Sequence, residues 1–111
     1  MKSSLHTFEA YFKRAFTPLI VMKVLQSKPR YIYEITQEIN AISNNRFDIT
    51  ALYPVIYRLQ EDGHVCIASE VTVKGRNRSY YALTDTGRIY LEQQMIVYEE
   101  LITMVTQIFK K

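Results

Sequence analysis

Apolar residues in the first quarter of the chain recur at helical spacing. In residues 3–16 they follow a three- or four-residue repeat, which places them on one face of a predicted helix. These residues are Leu5, Phe8, Phe12, Ala15 and Phe16. Thr17-Pro18 then indicates a new helix start, because proline has no N–H and its fixed φ suits a first turn. The pattern therefore predicts a second helix over residues 18–26 that is buried except at Lys23.

Two further helices are predicted before the pattern changes. A third helix covers about Tyr31 to Asn40, with isoleucines on one face and glutamates off it. A fourth covers roughly residues 49–62, with Asp48 or Thr50 as its N-cap. Gly63 suits its C-terminal end, because glycine accepts the left-handed conformation freely.

The fourth helix has distinct inner and outer faces. Its inner face holds Leu52, Val55, Ile56 and Leu59, and its outward positions are Thr50, Tyr53, Tyr57 and Arg58. Pro54 costs little if the helix begins at Ala51, and it bends the helix if the start is Ile49. Arg58 could bind a phosphate or pair with an acid at helical spacing.

After Gly63 the pattern becomes that of a β-hairpin. Residues 64–73 alternate and are rich in β-branched side chains, and residues 79–83 form a second short strand. The loop between them holds three cations and no acid; it reads Lys74, Gly75, Arg76, Asn77 and Arg78. Tyr80 and Tyr81 point to opposite faces, so one is expected in the core.

The chain ends in a long predicted helix, Asp85 to Lys110, capped by Thr84. Its apolar residues repeat at alternating spacings of four and three and form a seam of Leu91, Met95, Tyr98, Ile102, Val105 and Phe109. A second stripe beside it holds Val97, Leu101, Met104 and Ile108. Because so small a protein cannot cover both stripes alone, we expect a homodimer through this helix. The domain boundaries predicted are 1–84 for the unit that contains the first four helices and the hairpin, and 85–111 for the dimerisation helix.

Length and composition exclude several classes of protein. The chain has 111 residues and a net charge of +3, which fits one small domain and excludes barrel and doubly wound enzymes. It contains no set of residues arranged for catalysis, no glycine-rich phosphate loop and no metal-ligand spacing around His6, His64 or Cys66. We therefore expect no enzyme activity, no metal and no cofactor. Cys66 is predicted to be a buried thiol. Without a signal peptide or a membrane span, a cytoplasmic protein is expected.

The order of the elements is that of a winged helix-turn-helix with an added C-terminal helix. This makes the fold class mainly α with a small β-hairpin, that is, α+β. A helix fits the major groove of double-stranded DNA, and cations on a hairpin tip neutralise phosphates. The candidate DNA contacts are therefore Arg46, Thr50, Tyr53, Tyr57, Arg58, Lys74, Arg76, Asn77 and Arg78.

Three motifs carry a resemblance to a known family. They are Tyr33-Glu34-Ile35, the segment Thr50 to Gly63 with Leu52-Tyr53-Pro54 and Arg58-Leu59, and the segment Arg78 to Gly87 with Tyr80-Tyr81-Ala82-Leu83-Thr84. From about Thr17 to Leu91 the chain resembles the PadR-like transcriptional regulators, in their short form with one C-terminal helix. Ile32 and Ala51 depart from the usual glycine and threonine, and the last helix lacks the tryptophan of some members.

The resemblance implies a homodimeric repressor, often one whose DNA affinity falls when a small aromatic or drug-like molecule binds. It also implies phosphate contacts from Tyr33 and Tyr53. The apolar and aromatic residues Tyr11, Phe12, Phe16, Met95 and Tyr98 of the first and last helices are the candidate effector pocket. Met95 and Tyr98 could equally be dimer core. The alternative function is a winged-helix module that binds a protein and not DNA.

Overall fold

The computed structural model describes residues 6–49 and 51–111, and it confirms the α+β prediction. The described part of the chain contains four helices and one antiparallel hairpin. In chain order these elements are α1 (Phe8–Val24), α2 (Ile32–Ser43), α3 (Leu52–Glu61), β1 (Val65–Val73), β2 (Arg76–Leu83) and α4 (Asp85–Phe109). None of these helices has an apolar stretch of the length and character that crossing a bilayer requires.

The first helix corrects the prediction of two separate helices. α1 is continuous across Pro18, so Thr17-Pro18 does not start a new helix. Proline inside a helix removes one N–H donor and costs roughly 3 kcal/mol. The Thr17 hydroxyl donates a hydrogen bond to the carbonyl of Lys13 at 2.6 Å, which is one turn earlier. Burial of the helix end beyond the proline, including Val21 and Met22, offsets the missing backbone bond.

The core lies where α1, α2 and α3 meet. The inner faces predicted for α2 and α3 are confirmed, except that Ile32 and Val55 are only half-buried. The fully or nearly fully buried residues come from the C-terminal end of α1, from α2 and from α3, together with Val65, Tyr81 and Leu91. They include Val21, Met22, Ile35, Ile39, Leu52, Ile56 and Leu59. This packing fixes the angle between α2 and α3.

The turn between α2 and α3 differs from the prediction at both ends. α2 continues to Ser43, and Asn44 in the left-handed conformation ends it. α3 begins at Leu52, so Pro54 lies in its first turn, where its missing N–H costs little. Asp48 is not the N-cap, as its carboxylate accepts from Lys13 Nζ at 3.4 Å. The other predicted cap, Thr50, lies outside the described residues.

The hairpin is longer than the sequence pattern indicates. Lys74 and Gly75 alone form the turn, both with positive φ, and the following residues belong to β2. Such a two-residue turn matches the natural twist of the strands. Two backbone hydrogen bonds between Arg30 and Tyr81, at 3.0 and 2.8 Å, join the base of the hairpin to the segment before α2. We call the hairpin β1–β2 the wing.

Cys66 is exposed, so its predicted burial is wrong. Within β1 only Val65 is buried, because the wing projects beyond the helical core. An apolar run in a strand therefore did not mark an interior position here. Of the adjacent tyrosines, Tyr81 is buried and Tyr80 is half-buried, which confirms that one of them belongs to the core.

Thr84 fixes the start of α4. Its hydroxyl accepts from the Gly87 N–H at 2.9 Å and donates to the Gly63 carbonyl at 2.7 Å. Its own N–H donates to the carbonyl of His64 at 3.0 Å. The predicted cap is thus confirmed, and it also ties α4 to the turn after α3.

Candidate nucleic-acid interface

A groove of about 890 Å³ runs between the wing and the helices α2 and α3. Both sides of the groove carry aromatic or cationic side chains that end in a polar group. The residues that line it include Tyr31, Tyr33, Thr36, Tyr53, Tyr57, Lys74, Arg76, Asn77, Arg78 and Ser79. The structure therefore brings together seven of the ten residues that the sequence proposed for DNA contact.

The helix side of the groove presents tyrosines. Tyr53 and Tyr57 lie one turn apart on the outer face of α3, with ring centroids 6.0 Å apart, and both are about half exposed. Tyr33 extends from the first turn of α2 and is also exposed. Their phenolic hydroxyls can donate to phosphate oxygens or base edges.

The wing side of the groove presents cations. Among residues 6–49 and 51–111, no carboxylate lies within ion-pair distance of Lys74, Arg76 or Arg78. Asn77 is held by donating from Nδ2 to Glu70 Oε1 at 2.7 Å. The wing charges are therefore available to an external anion, which is the condition for phosphate binding with counterion release.

Tyr31 is a groove residue that sequence reasoning missed. The guanidinium of Arg78 lies over its ring, 4.1 Å from the centroid. Tyr31 is 47 positions earlier in the chain than Arg78, so no local spacing connects the two. The one available signal was the Tyr31-x-Tyr33 pair at the start of a predicted helix.

Three of the proposed DNA contacts are not placed in this groove. Arg46 donates to both carboxylate oxygens of Glu9, from Nη2 at 3.0 Å and from Nε at 3.2 Å. This hydrogen bonding by Arg46, with Lys13 beside it, lowers the pKa of Glu9 to about 2. Arg58 pairs with Asp62 at 3.8 Å and lines a different groove between α1, α3 and α4. Thr50 lies outside the described residues.

A second, apolar groove of about 700 Å³ lies between α1 and α4. Four of the five predicted effector-pocket residues line it, namely Phe12, Phe16, Met95 and Tyr98. The ring of Phe16 meets that of Tyr98 edge-on at 5.1 Å and stacks on Phe12 at 4.8 Å. Tyr11 is not in this groove, since it lies beside His6 and hydrogen-bonds its ring nitrogen at 3.1 Å.

The distal half of α4 is exposed in the described part of the chain. Every residue from Glu99 to Lys111 is exposed, although this segment contains half of the predicted seam, namely Ile102, Val105 and Phe109. The exposed fraction is 44% at Ile102, 42% at Val105 and 84% at Phe109. A continuous apolar face of this kind on a protruding helix marks an interaction surface.

Comparison with known proteins identifies relatives with this architecture. The model of the transcriptional regulator PadR-like family matches residues 21–93. A protein of Lysinibacillus sphaericus, described as uncharacterized, is 36% identical over 76 residues, which are 67% of this chain and 70% of the relative. A PadR-like transcription factor from Bacteroides fragilis has a TM-score of 0.74 at 25% identity, covering 90% of this chain and 96% of the other. A transcriptional regulator from Clostridium thermocellum shares the fold, with a TM-score of 0.81 at 22% identity over 87% and 96% of the two chains.

Proposed function

Since the chain belongs to the transcriptional regulator PadR-like family, whose members are DNA-binding regulators rather than enzymes, we propose that it is a homodimeric repressor. In this proposal α3 enters the major groove and the wing contacts the flanking backbone. Residues 1–84 form the DNA-binding unit and residues 85–111 the dimerisation helix. The partners are double-stranded DNA and a second copy of the chain.

One observation carries the DNA-binding proposal: three wing cations, without an acidic partner in the described chain, face three exposed tyrosines across a single groove. Cations that neutralise phosphates supply affinity, and the side chains of α3 can reach base edges. Tyr33, Tyr53 and Tyr57 place their hydroxyl groups on α2 and α3, and packing against the core fixes the position of both helices. Arg46 and Arg58, each bound to an acid, are the weaker candidates for contacts.

The wing cations give a direct test of this proposal. We expect Arg76→Ala to lower affinity for DNA about tenfold, because a charge-assisted contact contributes roughly 1.5 kcal/mol. The slope of log affinity against log salt should fall by about one unit for each phosphate that the variant no longer neutralises. Gel shifts and anisotropy with DNA from upstream of the protein's own gene, at about 50 and 200 mM salt, measure both quantities.

The matched control for this test is Lys111→Ala, which removes one exposed positive charge far from the groove in sequence. It should leave affinity and salt slope unchanged. If wild-type protein shifts no DNA even at low salt, the proposal is wrong and a protein-binding role for the winged helix takes its place. A specific site is shown by tighter binding to the upstream DNA than to an unrelated fragment of equal length.

We also propose that the apolar groove between α1 and α4 receives a small aromatic effector that lowers DNA affinity. Its support is the aromatic wall of Phe12, Phe16 and Tyr98, which suits stacking with a planar ring. Because Met95 and Tyr98 also belong to the α4 seam, a ligand there would act directly on the dimer. The effector would thus bind close to the surface through which the two copies associate.

Anilinonaphthalene sulfonate is a suitable fluorescent probe of this groove. We expect its fluorescence to rise on binding and the rise to be lost in Phe16→Ala, which removes the central ring of the groove wall. Tyr11→Ala is the matched control, because Tyr11 is an exposed aromatic of the same helix outside the groove. An equal loss in both variants, or no change of DNA affinity with any planar aromatic compound, would contradict the effector proposal.

A further inference from the structure

We infer that Tyr31 is a positioning residue for DNA binding: its ring holds the guanidinium of Arg78 in the orientation that meets the nucleic acid. The inference rests on the proposed DNA-binding function and assigns a role to a residue outside α3 and the wing. It follows from the contacts that the Tyr31 ring, at the start of α2, makes with Arg78 and Tyr80 of the wing.

The Tyr31 ring is packed among three other groups. Arg78 lies over its face with the guanidinium carbon 4.1 Å from the centroid. Tyr80 meets it at 5.4 Å with the two planes at 67°, and Tyr33 lies at 6.3 Å. Arg78 and Tyr80 are two positions apart on β2, so they share one face of the strand. That face of the wing is the one that rests on Tyr31.

The backbone at Tyr31 is fixed on both sides. Its carbonyl accepts from the Ile35 N–H at 3.0 Å, and its N–H donates to Glu34 Oε1 at 3.3 Å. The residue before it, Arg30, pairs with Tyr81 of β2 through two backbone hydrogen bonds. The ring therefore sits on a rigid turn that is already tied to the base of the wing.

A guanidinium placed over a ring face can keep its binding edges free. A guanidinium that lies over a ring keeps its N–H donors in its own plane, where they can bind a phosphate or a base edge. A free arginine must lose rotamer freedom when it binds, and a stacked one has lost part of it already. Among the wing cations of the described chain, Arg78 alone lies over an aromatic ring. Tyr31 thus makes Arg78 a pre-oriented contact and leaves Lys74 and Arg76 as flexible ones.

A double-mutant cycle tests this inference. We expect Tyr31→Leu to weaken DNA binding about fivefold and Arg78→Ala about tenfold, while Tyr31→Phe stays within about twofold of wild type because the ring is kept. The double variant Tyr31→Leu with Arg78→Ala should bind no more weakly than Arg78→Ala alone, since the two residues act as a unit. The parallel cycle of Tyr31→Leu with Arg76→Ala should be additive.

An NMR measurement on the free protein makes the test independent of DNA. The Arg78 Hδ protons should be shifted upfield by the ring current of Tyr31, and those of Arg76 should not be. Tyr31→Phe should keep the shift. Absence of the shift in wild-type protein overturns the inference even if Tyr31→Leu fails to fold.

The remaining outcomes separate this inference from the proposed function. Additive effects of Tyr31→Leu and Arg78→Ala, or a Tyr31→Phe protein as weak as Tyr31→Leu, overturn the positioning role while DNA binding stands. If neither Arg76→Ala nor Arg78→Ala weakens binding, the DNA-binding role of the wing fails and the inference fails with it.

Discussion

Ile102→Glu is expected to convert the protein to a monomer and to weaken binding to its DNA site by about a hundredfold or more. In the single chain the distal half of α4 is exposed, with Ile102 and Val105 at the centre of its apolar seam. Two-fold symmetry places each substitution in the interface twice. Burying a carboxylate there costs several kcal/mol and also removes the apolar burial of isoleucine, worth roughly 2 kcal/mol.

The weaker DNA binding follows because a monomer engages one half-site instead of two. Linking two binding units raises overall affinity by about 10²–10⁴, and a monomer forfeits this gain. Light scattering at micromolar concentration measures the oligomeric state, and a gel shift measures the affinity. Thr103→Glu adds the same charge on the face of α4 that points away from the seam and the second stripe, and it should remain a dimer. A wild-type monomer, or an Ile102→Glu dimer, would contradict the proposed assembly.

Gly87→Ala is expected to lower the free energy of unfolding by about 2–3 kcal/mol, as overpacking of a close contact does. Gly87 is buried in the first turn of α4, and a Cβ there would overlap the backbone carbonyl of His64. Leu83 Cδ1 would lie only 2.8 Å from the same Cβ. Alanine gains about 1 kcal/mol of helix propensity, so a net destabilisation shows that the overlap outweighs it.

Chemical denaturation monitored by circular dichroism measures this destabilisation. All variants need the same protein concentration, because dimer stability depends on it. Thr86→Ala is the matched control, since Thr86 is exposed in the same helical turn and should change stability by less than about 0.5 kcal/mol. Equal stability of Gly87→Ala and Thr86→Ala would show that the helix start can move away from the carbonyl of His64 at little cost.

The helices and the wing could be predicted because each has a local signal. Each of these signals lies within or directly beside the element that it predicts. Examples are the isoleucines of α2, the apolar face of α3 and the Thr84 cap of α4. The errors occur where tertiary packing overrides such signals. Pro18 indicated a helix boundary, and burial of the following turn keeps α1 continuous.

Seven of the residues that line the groove between the wing and the helices α2 and α3 could be chosen from the sequence, but their arrangement could not. The tyrosines of α3 could be proposed as DNA contacts because they lie on the outward face of a predicted helix. The wing cations could be proposed because they lie in the predicted hairpin loop. Their convergence depends on contacts between distant residues, such as the backbone pairing of Arg30 with Tyr81 and the stacking of Arg78 on Tyr31. The pairing of Arg46 with Glu9, 37 positions apart, was invisible for the same reason.

The three hydrogen bonds of Thr84 have a consequence for the DNA sequence that this protein can read. Two of them join the turn after α3 to the start of α4, which restrains the angle between the two helices. In a two-fold dimer built on α4, that angle and the length of α4 together set the separation of the two α3 helices. In the proposed assembly, the number of base pairs between the two halves of the target would therefore depend on the contacts of Thr84, a residue that does not line the groove between the wing and α3.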